Sequence, residues 1–128
     1  MKKILLIEPD KTLSKVTSEY LVSKGMDVMI AEGAQEAVNL ADQNEPDLVI
    51  LEIQLKRHNG IDFIHEFRSY PEWHGIPIVI YSMIPKKEFT FDNNAWMELG
   101  VSKYLYKPKV KLNELFNELN EVFSEIKI

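Results

Sequence analysis

Five short apolar runs recur along this chain: Ile4-Leu5-Leu6-Ile7, Val28-Met29-Ile30, Leu48-Val49-Ile50-Leu51, Ile78-Val79-Ile80-Tyr81 and Tyr104-Leu105-Tyr106. None shows the polar alternation of a strand with one wet face, so they read as parallel strands covered on both sides. The segments between them carry helical spacing. Leu13, Val16, Tyr20 and Leu21 make the apolar stripe of a first helix, with Asp10 placed as its N-cap and Gly25 as the C′ residue that stops it. A second helix is expected from Ala34 to Asn44, ended by Glu45-Pro46, because the residue before proline avoids the helical region. A third follows Gly60 with Phe63, Ile64 and Phe67 on one side, and "SYPEWHGIP" reads as a loop into the fourth strand. The fourth helix is expected to start near Thr90. The last carries Leu112, Leu115, Phe116, Leu119, Val122, Phe123 and Ile126 at spacings of three and four, a stripe read as core and not as a dimer seam.

Strands alternating with helices give a repeated βα unit, hence a doubly wound α/β fold with a mostly parallel sheet and helices on both faces. A chain of 128 residues suits a single domain with a core of its own. Sites in such folds lie beyond the carboxyl ends of the strands. The residues following each strand there are Glu8-Pro9-Asp10, Glu52, Ser82-Met83 and Lys107-Pro108. Glu52 stands out among them, since a carboxylate ending a buried strand is costly unless it is paired or used.

Composition narrows the function classes. The absence of cysteine excludes a disulfide scaffold, a thiolate metal site and a thiol nucleophile. A net charge of -5 argues against direct binding to nucleic acid, which wants a basic face. The apolar run of "MKKILLIE" stops at Glu8, too short for a signal peptide or a membrane span, so a cytoplasmic location without membrane contact is expected. His58, His65 and His74 share no metal-ligand spacing and read as surface residues. The lysines at 86, 87, 109 and 111 read as solvated.

Four stretches then fall together. "KKILLIEPDKTL", "PDLVILEIQLKRHNG", "IPIVIYS" and "ELGVSKYLYKP" occur in the order and at the spacing of the motifs of a response regulator receiver domain, a CheY-like module of two-component systems. The whole chain resembles that family. The resemblance implies a flavodoxin-like (βα)5 sandwich with strand order 2-1-3-4-5. It also implies signalling proteins as partners, a histidine kinase or an effector, and no enzymatic activity of the chain's own. In the family an Asp accepts a phosphoryl group, acidic residues hold Mg²⁺, and a Lys and a hydroxyl bind the phosphoryl oxygens, which is positioning plus charge stabilisation. Carried over by position, Lys107 matches the Lys, Ser82 the hydroxyl, Tyr104 the switch aromatic, and Glu8 the first of the acidic pair.

Two positions depart from the pattern. Glu52 stands where the phosphoacceptor Asp belongs, and Pro9, which offers Mg²⁺ no ligand, replaces the second acid; Lys56 also stands where the family usually has Pro. Glu is longer than Asp by about 1.5 Å, and a misplacement of about 1 Å costs roughly a hundredfold in rate. Mg²⁺ demands near-octahedral oxygen ligands. The expectation is a pseudo-receiver, with weak or absent Mg²⁺ binding, that acts as a protein-interaction module without phosphorylation. Glu52 is then either a standing mimic of the phosphorylated state, reaching Lys107 and Ser82, or a vestigial carboxylate that satisfies Lys107.

The competing reading is a working receiver phosphorylated at Glu52 or a nearby carboxylate such as Asp10. A flavodoxin-like electron carrier is disfavoured by "EPDKTL", where a phosphate loop would need glycines or hydroxyls. The family's partner and homodimer face, formed by the fourth helix, fifth strand and fifth helix, would carry Phe89, Trp96 and Tyr104 here, provided two of the aromatics Trp96, Phe89 and Phe91 are exposed.

Overall fold

The computed structural model describes residues 1–56 and 59–125, and in it the five apolar runs become five parallel strands. These are β1 (Lys3–Ile7), β2 (Asp27–Ala31), β3 (Leu48–Leu51), β4 (Ile78–Ser82) and β5 (Val101–Tyr106). They alternate with α1 (Lys11–Ser23), α2 (Ala34–Gln43), α3 (Gly60–Arg68), α4 (Asn93–Glu98) and α5 (Leu112–Glu125). The sheet order is β2-β1-β3-β4-β5, with every neighbouring pair parallel. This is the doubly wound architecture expected from the alternation.

Side chains alternate across each strand, and in β1, β3 and β4 both faces are dry, whereas the edge strands β2 and β5 are partly exposed. Leu5, Ile7, Val49, Leu51, Ile78 and Ile80 join the core under α2, α3 and α4. Ile4, Leu6, Leu48, Ile50, Val79 and Tyr81 join the core under α1 and α5. Burial on both faces is the physical reason the runs lack polar alternation. In α5, Leu115, Leu119, Val122 and Phe123 are buried as the stripe required, while Ile126 lies outside the described residues, as does His58. No helix among the described residues is long and apolar enough to cross a membrane.

Helix α1 ends as its sequence demands. Asp10 Oδ1 accepts the Leu13 N–H at 2.9 Å. At the other end Gly25 takes φ +90°, the Gly25 N–H reaches Val22 O at 2.9 Å, and the Met26 N–H reaches Leu21 O at 3.1 Å. That pair of bonds is a Schellman motif, and it needs a residue without a Cβ penalty at Gly25. The buried face of α1 departs from the expected stripe. Ser14, Thr17, Ser18 and Leu21 face the sheet, whereas Leu13 and Val16 are 39% and 50% exposed. The Ser14 and Ser18 hydroxyls donate to the Lys11 and Lys15 carbonyls, so small side chains with their hydrogen bonds satisfied inside the helix are what pack inward.

Two boundaries also move. Helix α4 begins at Asn93, not near Thr90, because Asp92 Oδ1 caps the Ala95 N–H at 2.8 Å. Strand β5 begins at Val101, three residues before the apolar run, with a register irregularity opposite Ile78 and Val79. The "SYPEWHGIP" loop holds a single 3-10 turn, Pro71–Trp73.

One side chain ties that loop to the α4–β5 turn. The Arg68 guanidinium donates to the carbonyls of Leu99, Trp73, His74, Ile76 and Gly100 at 2.7 to 3.3 Å. Gly100 has φ +74°, and a Cβ there would lie 2.2 Å from Arg68 Nη2.

Candidate functional site

The carboxyl ends of β1, β3, β4 and β5 bring Glu8, Glu52, Ser82 and Lys107 together, as their positions after the strands required. Lys107 is oriented by the 3-10 turn Lys107–Lys109 that ends β5. Its ammonium lies between two carboxylates. It contacts Glu8 Oε1 directly and Glu52 Oε1 at 2.8 Å. The side chains of Lys107, Glu8 and Glu52 are 8%, 6% and 4% exposed.

Glu52 uses both of its oxygens. Oε1 accepts from Lys107 Nζ and from the Met83 N–H at 3.0 Å; Oε2 accepts from the Ser82 hydroxyl and from the Gln54 N–H at 3.0 Å. Burial alone would push the Glu52 carboxyl up, but the hydrogen bonds from Lys107, Ser82 and the Gln54 amide, with the Lys107 charge, outweigh it and hold its pKa below the ordinary value. The charged form is therefore the stable one. The attraction between the two charges at 2.8 Å is about 6 kcal/mol at an effective dielectric near 20, and desolvation costs several kcal/mol per ion in return. The cluster thus fixes geometry more than it adds stability.

Pro9 lies beside this cluster. The turn it occupies is closed by the Asp10 N–H donating to Glu8 Oε2 at 3.2 Å, while the Asp10 side chain is spent on capping α1. Asp10 is an N-cap here, as the sequence indicated. The loop after Glu52 is held by the Gly60 N–H donating to Ile53 O at 2.7 Å, and a Cβ at Gly60 would stand 2.7 Å from the Ile53 Cα. Only glycine permits that approach.

From Ser82 the network continues toward Tyr104. The Ile84 N–H donates to Ser82 Oγ at 3.0 Å, and Tyr104 OH donates to Ile84 O at 2.6 Å. Burial and the nearby Glu52 charge push the Tyr104 phenol up to about 12. The backbone amides of Gln54, Met83 and Ile84 are the participants that sequence reading missed. No residue-type signal marks them, because any non-proline residue supplies the same N–H.

The aromatic partner face needs correction. Trp96 is only 3% exposed and sits inside an aromatic cluster, with Phe89, Phe91 and Tyr104 at ring-centroid distances of 5.5, 4.9 and 5.3 Å. Phe89 and Tyr104 are half-buried. These rings cover one another because α4 is short and needs them to close the core above β5; with Trp96 buried and Phe89 and Phe91 half-buried, the condition of two exposed aromatics is not met. Of the histidines, His65 and His74 are exposed as expected.

The comparisons with known proteins agree with this fold. The family model described as "Response regulator receiver domain" matches residues 4–120. A probable transcriptional regulator, ycf29, from Pyropia yezoensis is 33% identical over 95% of this chain and 53% of its own. The transcriptional regulatory protein CpxR from Escherichia coli (strain K12) is 32% identical over 84% of this chain and 44% of its own. The chain thus spans about half the length of the curated relatives it matches. Among solved structures, the non-phosphorylated HemR receiver domain from Leptospira biflexa is 27% identical, with a TM-score of 0.84, covering 100% of this chain and 98% of that one.

Proposed function

The chain belongs to the response regulator receiver family, and from that premise we propose that it is a pseudo-receiver: a two-component signalling module that engages partner proteins without being phosphorylated. One observation carries this reading. The single Glu52 carboxylate already holds Lys107 and the Ser82 hydroxyl, the two side chains that in the family would bind the phosphoryl oxygens.

The donor set also fits Mg²⁺ poorly. Glu8 and Glu52 both direct an oxygen at the Lys107 ammonium, and Pro9 adds no ligand. Lys107 thereby supplies the positive charge that a metal would otherwise bring between these acids, and no Mg²⁺ is needed to neutralise them. The inward-turned Tyr104, bonded to Ile84 O, supports the mimic over the vestige, because the family's switch aromatic reports the state of the acceptor site.

The test is intact mass after incubation with Mg²⁺ and acetyl phosphate, on the native chain and on Pro9→Asp/Glu52→Asp. A phosphoryl adduct on the double variant alone is the expected result. An adduct on the native chain overturns the proposal in favour of a receiver phosphorylated at Glu52 or a neighbouring carboxylate.

A further inference from the structure

The chain holds one Asn-Gly pair, Asn59-Gly60, and it falls where the loop after Glu52 joins α3. Such a pair is the peptide link most open to spontaneous deamidation, because glycine leaves its nitrogen unhindered beside the asparagine carboxamide. The Gly60 nitrogen attacks Asn59 Cγ and gives up its proton, and ammonia leaves. Water then opens the cyclic imide at one carbonyl to give aspartate, or at the other to give isoaspartate. Only water is consumed and only ammonia is released.

Both reacting groups are engaged in the fold. The nucleophile, the Gly60 N–H, donates to Ile53 O at 2.7 Å. On the group to be attacked, Asn59 Oδ1 accepts the Asp62 N–H at 2.9 Å as the N-cap of α3. Ring closure needs the Gly60 nitrogen nearly eclipsed with the Asn59 Cβ, and a ψ of 156° at Asn59 turns it well away. Turning it back has no room, because Gly60 is buried and a Cβ there would already stand 2.7 Å from the Ile53 Cα. Asn59 is also bridged antiparallel to Gln54, whose own N–H is held by Glu52 Oε2 at 3.0 Å.

We propose that Asn59 is a latent deamidation site, silent while the loop is closed on Ile53 and reactive whenever it opens, so that loop opening is recorded as a permanent change at the head of α3. The rate then follows the fraction of time the loop spends open. The two products differ in consequence. Aspartate keeps an oxygen on the Asp62 N–H and adds negative charge at the positive end of the helix dipole. Isoaspartate adds a methylene to the backbone between residues 59 and 60, which puts the Gly60 bond to Ile53 and the bridge to Gln54 out of register and frees the loop beside Glu52. The inference rests on the loop geometry and holds whether or not Glu52 accepts a phosphoryl group.

The test incubates the full chain at mildly alkaline pH, in buffer and in guanidinium chloride, and follows Asn59 by peptide mapping that separates aspartate from isoaspartate, beside native-state hydrogen exchange of the Gly60 amide. The expected result is conversion in denaturant that is slowed in the folded chain by about tenfold or more, and by the same factor that protects the Gly60 amide, since one opening frees both. Ile53→Ala, which thins the buried packing beside that bond, should raise both rates by a common factor, with thermal melting showing the variant folded. Equal conversion in buffer and denaturant, an unprotected Gly60 amide, rates that do not move together in Ile53→Ala, or no conversion in denaturant would overturn it.

Discussion

Two cations are drawn out of water in this molecule by different means. Lys107 sits between two carboxylates at the carboxyl ends of the strands. Arg68 sits among five backbone carbonyls at the end of α3, and burial lowers its pKa. A guanidinium spreads its charge over a planar fork of five donors, so carbonyl dipoles suffice to solvate it; an ammonium is a compact charge that wants a full opposite charge beside it. The Lys107 cluster therefore stores chemistry, because removing the cation leaves two acids facing one another. The Arg68 clamp stores architecture, because removing it frees only dipoles.

The largest effect should come from Lys107→Met. It leaves Glu8 and Glu52 buried without their counter-charge, a loss of about 3 to 5 kcal/mol in urea unfolding at neutral pH. The pH dependence should change sign as well. In the native chain Glu52 has its folded pKa below the ordinary glutamate value of 4.5, so its stabilisation is present above that value and is lost as pH falls through the folded pKa. In Lys107→Met the burial that raises the pKa loses its largest opponent, the Lys107 hydrogen bond, and the Lys107 charge with it. The folded value then rises, and stability should grow on acidification through that window. A native-like acid profile in this variant would break the contrast between the two cations.

Arg68→Lys should cost less, about 2 kcal/mol, because three tetrahedral donors cannot serve five carbonyls in one plane. The loss should appear as faster hydrogen exchange around Leu99 and Gly100, with the acid titration of Glu52 unchanged. An altered Glu52 titration would mean that the two sites are coupled.

The smallest effect is expected from Tyr104→Phe, about 1 kcal/mol for the lost hydrogen bond to Ile84 O. With its folded pKa raised from 10.0 to about 12, Tyr104 contributes stability that is complete below about 10 and is lost as pH rises toward 12. Tyr104→Phe should remove the latest-titrating tyrosine from an ultraviolet titration and flatten that alkaline decline.

Much of this fold is visible in the residues, because local and global preferences agree. The apolar runs at Leu48–Leu51 and Ile78–Ser82 are strands because both faces are dry, and Asp10 and Gly25 bound α1 through capping chemistry that belongs to those residue types. Where the reading slipped, tertiary context overrode a local pattern. Strand β5 begins among the polar residues of an edge strand, and α4 is set by the Asp92 cap after a turn-rich stretch.

By itself the sequence determined the alternation of strands and helices, and hence which residues end up on one rim: Glu8, Glu52, Ser82 and Lys107 stand at the carboxyl ends of four strands, and parallel winding brings all strand ends to the same side. It also determined the departures at Pro9 and Glu52, which are matters of residue type. Only the tertiary structure decided that one ammonium lies between both acids and that backbone amides complete the shell around Glu52. It also decided that Trp96 is covered while Leu13 and Val16 are not. Those outcomes depend on distances between segments far apart in the chain and on how each helix is rotated against the sheet, and neither is encoded in spacing along the chain.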